Sequence, residues 1–196
     1  MYRFRFGFTL AETMIAVAII GIIATLTIPT FIKNYNSRAN FTKLLKMHHD
    51  LEQNLEFLKT ENIYGGFFQS SLYTDDETKI KSFFTKYYKV KNDLSSIDGA
   101  PSFDYAAKLK DGSYIAMKKQ AGYMDVFIDT NGDEPPNMDC EDRYQFHIYN
   151  KYNIDVVNID AGASAESREG NGNTRENCVG LYINEGWDWS KIQEKL

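Results

Sequence analysis

The chain has 196 residues, room for one globular domain and an appendage rather than two large domains. Its formal net charge is -5, with long apolar residues crowded into the first thirty positions, and an acidic balance argues against a protein that grips nucleic acid through Lys and Arg. The two cysteines, Cys140 and Cys178, come without a Cys-x-x-Cys or Cys/His cluster, which argues against a zinc site.

The first predicted element runs from Phe8 to Ile28, FTLAETMIAVAIIGIIATLTI, and carries a single charge. As a helix it spans about 30 Å, the thickness of a bilayer core. A helix apolar on every side needs lipid or a large core, and the rest of this chain is too small to wrap it. A secretory signal accounts for Arg3 and Arg5, but no small-x-small cleavage site follows the apolar run. A plain membrane anchor leaves Glu12 unexplained, because a charge at the centre of a membrane helix costs about 3 kcal/mol on insertion scales.

The stretch from Arg3 to Glu12, RFRFGFTLAE, resembles the prepilin peptidase recognition sequence of type IV pilins and type II secretion pseudopilins. A short basic leader, a Gly, and Phe-Thr-Leu-x-Glu opening an apolar helix coincide there. The resemblance implies cleavage between Gly7 and Phe8, N-methylation of Phe8, and an assembly role for Glu12. It covers about the first thirty residues closely; Gly21 and Pro29 also fall where this family often has helix-loosening residues. Physically, cleavage exposes an amine about one helical turn from a carboxylate, so an incoming subunit's amine can neutralise Glu12 of an assembled one. Implied partners are other pilin subunits, the prepilin peptidase, an inner-membrane assembly platform and, before assembly, the lipid bilayer. The implied location is the bacterial inner membrane as a single-pass precursor, then an extracytoplasmic filament. Lys33, Arg38, Lys43 and Lys46 after the span outnumber Arg3 and Arg5 before it, so the leader motif rather than the basic residues sets the orientation.

Pro29 lacks a backbone donor and is expected to bend or loosen the helix. Beyond it, Phe41, Leu44, Leu45, His48, Leu51, Leu55 and Leu58 recur at steps of three and four, the stripe of an amphipathic helix that ends near Thr60. His48 on this stripe reads as a packing residue, since no second ligand accompanies it at helical spacing. Thr74 to Glu77 resembles a capping box opening a second helix that buries Ile80, Phe83, Phe84 and Tyr87. Four antiparallel strands are predicted over 103–110, 113–119, 123–129 and 143–149, the first two joined by a tight turn at Asp111-Gly112. Residues 162–177, rich in Gly, Asn and charge, read as a surface loop. Trp187 and Trp189 either cover the sheet edge or present a binding face, and packing is the preferred reading.

The expected fold is therefore α+β, a long N-terminal helix packed on a small antiparallel sheet. A leader spans 1–7, a membrane or filament-core helix 8–28, its amphipathic continuation 29–60, and a globular head 61–196. In an oxidising compartment Cys140 and Cys178 would close a disulfide loop; in a reduced cytosol they would stay thiols. Asp129, Asn131 and Asp133 alternate like the start of a calcium loop, although Glu134 and Cys140 stand where an EF-hand has Gly and Glu. The alternative there is an Asn-Gly turn with solvated acids. No nucleophile elbow, phosphate-binding glycine loop or acid-base pair suggests an enzyme. Two functions are consistent with these features: a structural filament subunit of a pilus or secretion pseudopilus, or a scarce tip subunit whose head binds a ligand, surface or DNA.

Overall fold

A computed structural model describes residues 9–62, 64–150, 154–155 and 175–193. It divides into one unit ending at Ala39 and a second beginning at Asn40. Helix α1, Leu10–Glu61, contributes to both, matching the predicted helix at its C-terminal end within a residue and passing through Pro29 without interruption. In the first unit its side chains face outward: Leu10, Met14, Val17, Ile20, Ile23 and Leu26 are all more than half exposed. Thr13, Thr25 and Thr27 turn their hydroxyls back onto the carbonyls of Leu10, Ile22 and Ile23, so the run presents few free polar groups.

In the second unit α1 buries Phe41, Leu44, His48, Leu51, Leu55 and Leu58 of the predicted stripe, and Met47 and Asn54 besides, while Leu45 is half-buried. The apolar members pack in one core with alternate residues of the sheet, among them Ile115 and Met117, Val126 and Ile128, and Phe146 and Ile148. The strands are β1 (Val90–Leu94), β2 (Tyr105–Leu109), β3 (Tyr114–Gln120), β4 (Tyr123–Asp129), β5 (Arg143–Ile148) and the two-residue β6 (Ile154–Asp155). All pairs are antiparallel and the spatial order follows the chain, β1 to β6. The four predicted strands correspond to β2 to β5, and β1 and β6 are additions at the edges. The turn at Asp111-Gly112 is as predicted: Gly112 takes φ +92°, and Asp111 accepts from the Ser113 backbone and hydroxyl. The opposite face of the sheet is also covered, with Ala106, Tyr114, Ala116 and Phe127 meeting Ile97 and Phe103 from the segment after β1.

Helix α2 (Glu77–Tyr87) buries Ile80, Phe83 and Phe84, while Tyr87 is half-buried. Its cap differs from the prediction. Asp76 rather than Thr74 accepts from the Thr78 N–H, and the Thr74 hydroxyl instead accepts from the Asp76 N–H. Helix α3 (Arg175–Asn184) begins inside the stretch expected to be loop; residues 162–174 of that stretch lie outside the described residues. The helix buries Val179 and Tyr182, and the short α4 (Trp189–Gln193) buries Ile192. Trp187 and Trp189 pack on Phe41, with ring centroids 6.0 and 5.0 Å away, so both serve the core.

His48 is sandwiched between Phe146 and Trp187, and burial holds its imidazole below the ordinary range, against the pull of Glu52 at 3.7 Å. Because the folded value is depressed, the unfolded chain binds the proton first as pH falls. The head should therefore lose stability as pH drops through about 6.5. Comparing thermal unfolding at pH 7.5 and pH 5.5 checks this: wild type should show the larger fall, and His48→Leu should flatten it. An equal fall in both proteins would assign the pH dependence to other groups.

Candidate functional site

Gly7 and Phe8, the expected cleavage and methylation positions, lie outside the described residues. Immediately after them, Thr9 and Glu12 form a reciprocal cap at the start of α1. Glu12 Oε2 accepts from the Thr9 backbone N–H at 2.8 Å and from its hydroxyl at 2.9 Å, while Thr9 Oγ1 accepts from the Glu12 N–H at 3.3 Å. This is the capping-box arrangement, with Thr9 as N-cap and Glu12 three residues on. Among the described residues nothing occupies Glu12 Oε1, and the side chain is exposed. The carboxylate is thus placed at the helix end with one oxygen engaged locally and one available to a charged partner. The Thr-x-x-Glu spacing was legible in the sequence as a cap, a role that the emphasis on charge passed over.

In the second unit, Cys140 and Cys178 are joined as a disulfide with Cα atoms 5.6 Å apart, tying α3 to the loop before β5. A loop of this size stabilises a fold by about 4 kcal/mol, by restricting the unfolded chain. The neighbouring acidic segment is organised by cations and backbone donors. Asp129 is fully buried; its Oδ2 faces Arg143 Nε at 3.1 Å, and its Oδ1 accepts from the Asn131 and Gly132 N–H groups. Burial pushes the Asp129 carboxyl up, against the pull of Arg143 and of the Gly132 N–H. Asp133 is 75% exposed and pairs with Lys108 at 2.8 Å, and the Asn131 amide donates to the Pro135 carbonyl. Asp142 accepts from the backbone of Asn137 and Met138. As arranged, Asp129, Asn131 and Asp133 do not form an oxygen cage: a calcium ion using both aspartates has to displace Arg143 and Lys108. Among the described residues no three His, Cys, Asp or Glu side chains come together as metal ligands.

A second polar cluster lies across β4 and β5, where Asp125 and His147 are register partners. His147 Nε2 stands 3.0 Å from Asp125 Oδ1, and Gln120 donates to the other carboxylate oxygen at 2.8 Å. Burial works to raise Asp125, but the contacts with His147 and Gln120 hold it below the ordinary carboxylate range. With one histidine and one carboxylate, the cluster reads as a cross-strand clamp.

Comparison with known families identifies the N-terminal segment: residues 2–28 match the family described as the prokaryotic N-terminal methylation motif. No curated protein and no solved structure matches the chain. The motif implies processing by a prepilin peptidase and assembly with other pilins, and with the apolar helix behind it fits a membrane-anchored precursor. With this motif at its N-terminus, a long apolar helix behind it and an antiparallel sheet, the chain resembles type IV pilins in motif and layout.

Proposed function

We propose that this protein is a structural subunit of an extracytoplasmic filament, a type IV pilus or a type II secretion pseudopilus. The peptidase cuts after Gly7, Phe8 becomes the methylated first residue, and the apolar part of α1 leaves the bilayer to join a bundle of like helices. The observation that carries this reading is the run from Leu10 to Ile28, apolar, outward-facing and interrupted by one charge, directly behind the methylation motif. Such a surface is unstable in water and stable in lipid or against identical helices. Glu12, with Oε1 open, then meets the Phe8 amine of the next subunit.

The test is to express the full chain in cells with the peptidase and assembly machinery, shear the surface, and determine the N-terminal mass in filament and membrane fractions. The expected result is a filament fraction beginning at methylated Phe8, with Gly7→Trp accumulating as uncut precursor in the membrane. A filament fraction that retains residues 1–7, or a chain found only in the membrane with its leader intact, would overturn the reading.

A further inference from the structure

Between α1, the end of α2 and the β2–β3 turn lies an open groove of about 590 Å³, a volume within the range of small-molecule sites. Lys46, Lys89 and Lys110 surround it; all three are exposed, and their ammonium groups make no hydrogen bond or ion pair among the described residues. Two carboxylates oppose them. Burial works to raise the Asp111 carboxyl, but Ser113 and the ammonium groups of Lys43 and Lys46 hold it below the ordinary range, so Asp111 and Asp50 both count as negative charges. Three ammonium groups against two carboxylates leave the groove cationic by one charge, on a chain of net charge -5. Its wall carries the amides of Gln53 and Asn54, and the half-buried Tyr87 ring supplies an aromatic edge. Tyr88 lies at the floor, its hydroxyl buried beside Asn54 without a well-aligned hydrogen-bond partner. Neither the cap at Thr9 and Glu12 nor the disulfide loop uses any of these groups.

We infer that this groove binds an acidic sugar, a hexuronate unit of an anionic polysaccharide. The excess of exposed ammonium groups over carboxylates favours a negative charge, and as flexible point charges the lysines take a carboxylate without demanding bidentate geometry. Amides and carboxylates beside an aromatic ring suit a ligand with hydroxyls and one apolar face. A duplex nucleic acid fits less well: the cationic groups are confined to one groove on an acidic surface, where a backbone needs an extended basic track. The binding requires only a folded head, whatever the chain's place in a filament.

The test is calorimetric titration of the detergent-solubilised full chain with trigalacturonate, with maltotriose as the neutral trisaccharide and inorganic phosphate as the simple anion. Trigalacturonate should bind saturably while maltotriose and phosphate do not. The triple variant Lys46→Gln, Lys89→Gln, Lys110→Gln should bind about tenfold or more weakly, and the corresponding triple Arg variant should recover most of the affinity. Because the three lysines are exposed, thermal unfolding of both variants should match wild type. The inference is overturned by no saturable binding of trigalacturonate, by equal affinity in the Gln variant, or by phosphate or maltotriose binding as tightly as the acidic trisaccharide.

Discussion

Glu12→Gln should leave the protein in the membrane and reduce its share of sheared filaments about tenfold or more. The substitution separates two roles that coincide at this position. Gln still completes a capping box with Thr9, so the helix end is preserved, but the charge that attracts a neighbour's amine is gone. Retention in the bilayer should be equal or better, because the membrane no longer holds a charge, one that costs less at the helix end, where Glu12 lies, than the about 3 kcal/mol of a helix centre. Thr9→Val is the complementary variant: it loses the hydroxyl that caps the helix, a penalty of about 1 kcal/mol, and keeps the carboxylate. It should assemble. The measurement is the filament-to-membrane ratio in cells lacking the native copy. Wild-type incorporation by Glu12→Gln would show that assembly does not use the charge, and failure of Thr9→Val alone would transfer the role to the cap.

Asp129→Ala should destabilise the head by about 3 to 5 kcal/mol, since it strands a guanidinium inside the fold and removes the acceptor for two turn N–H groups. That is a large fraction of the stability of an ordinary domain. Arg143→Met should cost a comparable amount at neutral pH but less in acid. Burial already pushes the Asp129 carboxyl up, and without Arg143 the group takes up a proton in the folded state more readily than in the unfolded one. A carboxyl whose folded value is raised adds stability as pH falls, so the deficit of Arg143→Met should shrink between about pH 7 and pH 5. Thermal unfolding of the solubilised chain at the two pH values reads both effects. Losses under about 1 kcal/mol for both variants would mean that the pair is not desolvated as its burial indicates.

The long helix and the inner strands were legible because their periodicity is strong. The stripe from Phe41 to Leu58 keeps a helical step over five turns, and β2 to β5 alternate between turns marked by Gly112 or by acids and Gly. Strand β1 was not legible: Val90–Leu94 is mostly exposed and polar, and it becomes a strand by lying beside β2. Helix α3 was hidden for a related reason, since Arg-Glu-Asn at its start continues the composition of the preceding loop. What fixes the helix is burial of Val179 and Tyr182 together with the bond from Cys178 to Cys140. At the acidic segment, local spacing pointed to metal ligands, whereas the partner of Asp129 is Arg143, fourteen residues away across a strand pair. No local pattern discloses such a partner. The pairing of Thr9 with Glu12 is the opposite case, a site held within four residues and readable from them.

The sheet's strict chain order also bears on how the head forms. Every strand pairs with its neighbour in sequence, so each new strand closes over only the segment that precedes it and adds to an edge already in place. A chain delivered N-terminus first, with α1 available before any strand, can build the sheet progressively from β1 toward β6. The covalent tie spans 38 residues and engages α3, which follows every strand. The disulfide can therefore close only once all six strands have been delivered, and an early block to oxidation should leave the meander formed and only its C-terminal cover loose.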